Sequence, residues 1–165
     1  MSVVAVKVYK DKIQIAADSI IVYGENSKKT DSTFSKLVKV NNMVIGSAGV
    51  AEESSLMAHY ADTHKPLAAN EKDILSFIIE FSQWKSGIVG DSKIENDYII
   101  VYDGKAFFIQ GMLVFEIDNY DAIGAGMDFA NAAMYLGHTP KEAVKVACEL
   151  SCWVAEPIVE FEEKR

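Results

Sequence analysis

MSVVAVKVYKDKIQIAAD, residues 1–18, is the stretch on which the reading of the chain turns. It holds an apolar run at residues 3–6 and 8, a polar break at Lys10-Asp11-Lys12, and a second run through Ile13, Ile15, Ala16 and Ala17. Two such runs around a short polar break predict a β-hairpin. The second strand ends on Asp18, which taken alone is an ordinary strand-end carboxylate opening a turn. Ser2, directly behind Met1, gives that carboxylate a second reading. Removal of a methionine ahead of a serine leaves one residue carrying both a hydroxyl and a free α-amine. An α-amine of ordinary pKa, about 7.7–8.0, is partly neutral at neutral pH and can accept a proton. Nucleophile and base then sit on one residue, the N-terminal variant of the activated hydroxyl. The arrangement needs a fixed cation to favour the neutral amine, and a carboxylate to hold that cation. Lys36, within Phe34-Ser35-Lys36-Leu37-Val38, is the candidate cation and Asp18 its partner.

Beyond the first hairpin, residues 19–23 continue apolar and give way to a polar run at 24–32, read as a loop. Residues 37–40 and 43–48 form a second hairpin across Asn41-Asn42, a turn-favouring pair. From Val50 the period changes: Leu56, Met57, Tyr60 and Ala61 recur at helical spacing until about His64, where Lys65-Pro66 stops the helix. Asn70 followed by Asp73 predicts an N-cap with an acidic first turn. The helix it opens carries Ile74, Phe77, Ile78, Phe81 and Trp84 on one face, a core stripe. Residues 86–96 read as a Gly- and Ser-containing loop. Strands are expected at 98–102, 105–109, 112–117 and 122–125, with Asp103-Gly104 the strongest hairpin signal. Two helices follow, one over 126–136 stopped by Gly137, the other from Thr139 to about Ala155. The second opens on Thr139-Pro140-Lys141-Glu142, a capping box with proline at the first helical position. Residues 158–161 form a last short strand before a charged tail.

Strands and helices segregated in this order predict an α+β fold in one domain spanning residues 1–165. The packing that satisfies it is a four-layer αββα sandwich: two antiparallel sheets face to face, with a helix pair outside each.

In order along nearly the whole chain, the motifs resemble those of the proteasome β-type subunits and the shorter HslV-type peptidases. Counting back without a gap from Ile15-Ala16-Ala17-Asp18 places Ser2 on the family's N-terminal nucleophile; aligning on Ala5 instead places Met1 there. Ser35-Lys36-Leu37 resembles the segment of the catalytic lysine. Residues 44–49 resemble the strand and turn whose N–H is the oxyanion donor, here Gly49, and residues 122–126 the later strand-to-helix turn. The family usually has threonine where this chain has Ser2. It also has a serine in many members at Ala125, and acidic and hydroxyl support that Ser151-Cys152-Trp153 does not reproduce.

The resemblance implies an Ntn-hydrolase sandwich and a peptidase acting on peptides or unfolded proteins, without metal or organic cofactor. It further implies a homo-oligomeric ring that encloses its sites, often fed by an ATP-dependent unfoldase. Ser2, Asp18, Lys36 and Gly49 are the implied catalytic residues. The departures leave open a catalytically inactive structural or assembly subunit of the same fold. A small-molecule amidase of the wider class is the third reading.

The balance of 16 basic to 24 acidic residues gives a net charge of −8, which argues against nucleic acid or an anionic membrane as partner. No apolar run approaches the roughly 20 residues that cross a bilayer. No secretory signal is visible, so a cytoplasmic location is expected. The cysteines, Cys148 and Cys152, are four apart in a helical pattern and read as two buried, reduced thiols. The histidines, His59, His64 and His138, show no metal-ligand spacing.

Overall fold

The computed structural model describes residues 1–23, 27–30 and 34–165. The first hairpin forms as β1 (Val4–Val8) and β2 (Lys12–Ala17). β1 lies inside a four-stranded antiparallel sheet, flanked by β2 and by β10 (Tyr120–Ile123), with β11 (Val159–Lys164) on the outer side of β2. The second sheet holds β5 (Leu37–Val40), β6 (Met43–Ala48), β7 (Asp97–Tyr102), β8 (Lys105–Gln110) and β9 (Leu113–Glu116), in sequence order. Asn41 and Asn42 both take positive φ, 48° and 62°, as a tight hairpin with the right-handed strand twist demands.

The two sheets pack through Val4, Val6, Ile13 and Ile15 on one side and Leu37, Val44, Ile99 and Val101 on the other. Helices α1 (Ala51–Thr63) and α2 (Glu71–Val89) cover the five-stranded sheet with Met57, Tyr60, Ile74, Phe77, Ile78 and Phe81. Helices α3 (Met127–Tyr135) and α4 (Pro140–Leu150) cover the four-stranded one with Ala130, Met134, Val144 and Ala147. The expected αββα sandwich is therefore present. The Asn70 cap accepts the Asp73 N–H at 3.0 Å, and the Thr139/Glu142 capping box closes as its sequence demands. No helix among the described residues is long and apolar enough to cross a membrane.

Four boundaries depart from expectation. Within the polar run at 24–32, Ser27–Thr30 form β4 and pair antiparallel with β3 (Ile20–Tyr23); positions 24–26 and 31–32 of that run lie outside the described residues. Pairing with an apolar strand supplies what the polar sequence does not advertise. Helix α2 continues through Ser86 and Gly87 to Val89, where Gly90 at φ 77° supplies the left-handed cap. One internal glycine costs about 1 kcal/mol, less than tertiary packing of the helix returns.

Helix α4 ends at Leu150 rather than near Ala155, because Ala155 has better partners elsewhere. Its N–H goes to Asp18 and its carbonyl accepts from Ser19. Cys152 consequently falls outside the helix and is exposed, while Cys148 is half-buried, so the two thiols are not the buried pair expected. The charged tail, finally, is strand: β11 runs to Lys164, with Glu162 bonded to Lys12 and Gln14 and Glu163 to Lys39 across the sheet edges. Smaller shifts affect β9 and β10, and β10 stops at Ile123 because Gly124, at φ 89°, turns the chain.

Candidate functional site

Ser2 is carried into the interior by β1, and its backbone is gripped from the opposite strand end. Gly126 N–H donates to the Ser2 carbonyl at 3.2 Å. A Cβ on Gly124 would lie 2.4 Å from that same oxygen, so the turn at 123–126 approaches Ser2 as only glycine permits.

Asp18, at the end of β2, is fully buried and gathers donors from four segments. Val3 N–H reaches Oδ1 at 2.8 Å, Ile20 N–H reaches Oδ2 at 3.2 Å, and Ala155 N–H reaches Oδ2 at 3.3 Å. Lys36 Nζ completes the set with an ion pair to Oδ1 at 2.7 Å, the two side chains 0% and 5% exposed. Burial pulls the Lys36 ammonium below the ordinary lysine range, and the Asp18 carboxylate opposes that pull. Lys36 Nζ also donates to the Met1 carbonyl at 3.3 Å, and Ser2 Oγ donates to the same oxygen at 2.5 Å. The hydroxyl and the cation thus converge on the peptide immediately ahead of Ser2.

Gly49 closes the arrangement. It follows β6 at φ 146°, a conformation L side chains rarely adopt, and leads into α1. Its N–H makes no hydrogen bond among the described residues. A cavity of about 260 Å³ is lined by Met1, Ser2, Lys36 and Gly49, with Ser47 and Ser54 on the Gly49 side. Of the four residues singled out in the sequence, three line this one cavity, and Asp18 stands behind Lys36. Ala125 and residues 151–153 do not line it. Near by, burial and the Asp18 carboxylate push the Cys148 thiol up to about 12, so it stays protonated.

Sequence reasoning missed a second polar centre on the far side of Gly49. Asn96 caps the Gly49–Val50 turn, and Glu53 with Lys85 forms a buried ion pair at 2.7 Å behind it. Glu53 carries the only available signal, an acid in the first turn of a helix, and that signal reads as a dipole partner. Burial by itself would raise the Glu53 carboxyl. Hydrogen bonds from Lys85, the Asn96 and Glu95 N–H groups and Tyr98 outweigh burial and hold the carboxyl below the usual glutamate range.

No family model matches the sequence, and no curated protein matches it. Solved structures do. BPH of Thiobacillus denitrificans aligns with a TM-score of 0.88 at 18% identity, over 98% of this chain and 97% of that one. Eukaryotic HslV from Trypanosoma brucei aligns at 0.75 and 19% identity, over 99% of each chain. Anbu, an ancestral beta-subunit from Yersinia bercovieri, aligns at 0.71 and 16% identity, over 99% of this chain and 82% of that one. The chain shares the four-layer αββα fold of these proteins.

If Asp18 and Lys36 act as a buried pair, breaking it leaves an uncompensated charge. Urea melts should then show Lys36→Ala and Asp18→Ala each costing about 3–5 kcal/mol, with strong coupling in the double mutant. Additive effects within about ±0.5 kcal/mol would place both among ordinary surface charges.

Proposed function

We propose that this chain is a subunit of a self-compartmentalising peptidase whose nucleophile is Ser2, freed by removal of Met1. The observation that carries the reading is the convergence of Ser2 Oγ and Lys36 Nζ on the carbonyl of the preceding peptide, with Lys36 tied to buried Asp18. In the Met1-free chain, Ser2 Oγ attacks a peptide carbonyl, forming the C–O bond as its proton passes to the Ser2 α-amine, directly or through a water. Lys36 favours the neutral amine and the developing alkoxide by its charge. The tetrahedral oxyanion accepts from the Gly49 N–H, a contact of a kind worth about 2.7–4 kcal/mol elsewhere. Collapse breaks the C–N bond, with the protonated α-amine giving its proton to the leaving amine. Water then attacks the acyl ester, and hydrolysis restores the Ser2 hydroxyl.

A second reading has its own support. With Met1 in place, the group ahead of Ser2 is an amide with no basicity, and its carbonyl occupies both the hydroxyl and the lysine. A chain that keeps Met1 is a structural or assembly subunit of the same fold.

The two readings separate on Met1-bearing and Met1-free protein assayed against a fluorogenic peptide amide and an unfolded protein. The peptidase reading expects turnover only from the Met1-free form, abolished in Ser2→Ala and retained in Ser2→Thr. Epoxomicin, present in a second Thiobacillus BPH structure that aligns at a TM-score of 0.85, is a useful ligand for the same comparison. Equal background from both forms would remove catalysis from the account and leave the fold.

The same proposal makes the protein a homo-oligomeric ring in the cytoplasm, receiving peptides or polypeptides unfolded by an ATP-dependent partner. Tyr135, Leu136, Leu150 and Trp153, on or beside α3 and α4, are exposed in the single chain and fit a face covered by neighbouring subunits. Light scattering in dilute neutral buffer should report a mass several-fold above 18.2 kDa. A monomer at micromolar concentration would rule the ring out.

A further inference from the structure

We propose that Asn96 is a positioning residue that aims the Gly49 N–H into the cavity; the proposal rests on the peptidase reading of that cavity. Val50, the residue after Gly49, is the N-cap of α1 and offers no capping side chain. Asn96 does its work from the loop before β7. Asn96 Oδ1 accepts the Val50 N–H at 2.5 Å, while Nδ2 donates to the Val50 carbonyl at 2.9 Å and to Ser54 Oγ at 3.0 Å. An N–H on one side and a carbonyl on the other fix which way the amide points, since the reverse orientation sets donor against donor.

Both main-chain groups of Val50 are thereby hydrogen-bonded. The N–H of the preceding residue, Gly49, has no hydrogen-bond partner among the described residues, and Gly49 lines the cavity wall. Contact with Gly49 is equally tight: a Cβ there would lie 2.1 Å from Asn96 Oδ1. The turn and the asparagine therefore fit only each other.

Asn96 is 1% exposed and is itself held from behind. Its N–H donates to Glu53 Oε1 at 3.0 Å. The same carboxylate accepts from Tyr98 Oη at 3.0 Å, from Glu95 N–H at 3.1 and 3.2 Å, and from Lys85 Nζ at 2.7 Å. Lys85 Nζ makes a further bond to the Lys93 carbonyl. Two charges taken out of water at this depth add little net stability even when fully satisfied. Their effect is geometric: Glu53 on α1 and Lys85 on α2 fix the chain around Asn96 to the helix that Gly49 opens. Oxyanion stabilisation requires such preorganisation, because a donor must already point where charge develops. Asn96, Glu53 and Lys85 make no hydrogen bond to Ser2 or Lys36 among the described residues, so they reach the site through the Gly49–Val50 turn and Ser54.

The test uses Met1-free protein, a fluorogenic peptide amide as substrate, and a peptide aldehyde, whose adduct with a hydroxyl carries the same oxygen as the tetrahedral intermediate. Asn96→Ala should lower kcat by about 10²-fold, the scale of a lost oxyanion donor, with KM little changed. Aldehyde affinity should fall in the same proportion. Asn96→Asp keeps an acceptor for the Val50 N–H but sets an oxygen against the Val50 carbonyl, so it should recover kcat and aldehyde affinity only in part. A purely structural role would lower the melting temperature and the folded fraction of Asn96→Ala while leaving the kcat and aldehyde affinity of the folded enzyme intact, and that result overturns the proposal.

Amide hydrogen exchange gives a readout independent of turnover. Exchange at Val50 should accelerate by at least about tenfold in Asn96→Ala, as expected when a protecting hydrogen bond is lost in a still-folded protein. Unchanged protection there overturns the clamp whether or not the enzyme is active. Absence of turnover in the unmutated, Met1-free protein would instead refute the peptidase reading, leaving the exchange measurement to judge the clamp.

Discussion

The Asp18 carboxylate, buried where the two sheets meet, accepts from Val3, Ile20 and Ala155 main-chain N–H groups and from the Lys36 ammonium. A carboxylate in that position is costly unless its oxygens are satisfied, and here donors from four segments of the chain satisfy them. The start of β1, the entry to β3, the approach to β5 and the chain beyond α4 are all fastened at one point. Ser2 inherits its position from that fastening, since Val3 is tied to Asp18 by side chain and by main chain, the Asp18 N–H donating to the Val3 carbonyl at 3.2 Å. Lys36 inherits its orientation, and the Met1 carbonyl marks where the lysine and the serine both point.

A second buried charge pair, Glu53 with Lys85, stands on the other side of the cavity and works by the same logic. Around Asp18 the hydrogen bonds locate Ser2, the proposed nucleophile, and the Lys36 cation. Around Glu53 they locate the loop whose asparagine holds the glycine turn. Neither pair is explained by stability alone, because well-packed apolar residues would serve that end as well. Both define positions, and the cavity of about 260 Å³ lies between the elements they define. Glycines at 46, 49, 124 and 126 let those elements come close: a Cβ on Gly46 would lie 2.6 Å from Val4 Cγ1 between the sheets, and one on Gly126 2.9 Å from Val3 Cβ.

Much of this was legible in the sequence where the physics is local. The two apolar runs of residues 1–18, the Asn41-Asn42 turn, the Asn70 and Thr139 caps and the helical stripes all act over a few residues, and they forecast the layers correctly. Asp18 and Lys36 could be paired only through the chemistry that an N-terminal nucleophile needs and through the resemblance, since 17 intervening residues carry no spacing rule. What stayed hidden was set by tertiary partners. Residues 27–30 become strand because β3 pairs with them, and the charged tail becomes strand because β2 does. Helix α4 stops early because Asp18 and Ser19 claim the main chain of Ala155. Asn96 sits in what reads as a featureless loop, and nothing in its neighbours predicts that Glu53, 43 residues earlier, will wrap that loop around itself.

The central claim is that the Asp18-anchored lysine makes the Ser2 amine a base. Its most direct test is the pKa of that amine, followed by nitrogen-15 NMR in Met1-free protein from pH 5 to pH 10. A fixed cation and burial both disfavour the charged amine, so the account predicts a value below the ordinary range of about 7.7–8.0. It also predicts a return toward that range when Lys36 is replaced by methionine. An ordinary pKa in the unmutated protein, unmoved by Lys36→Met, would contradict the account at its base.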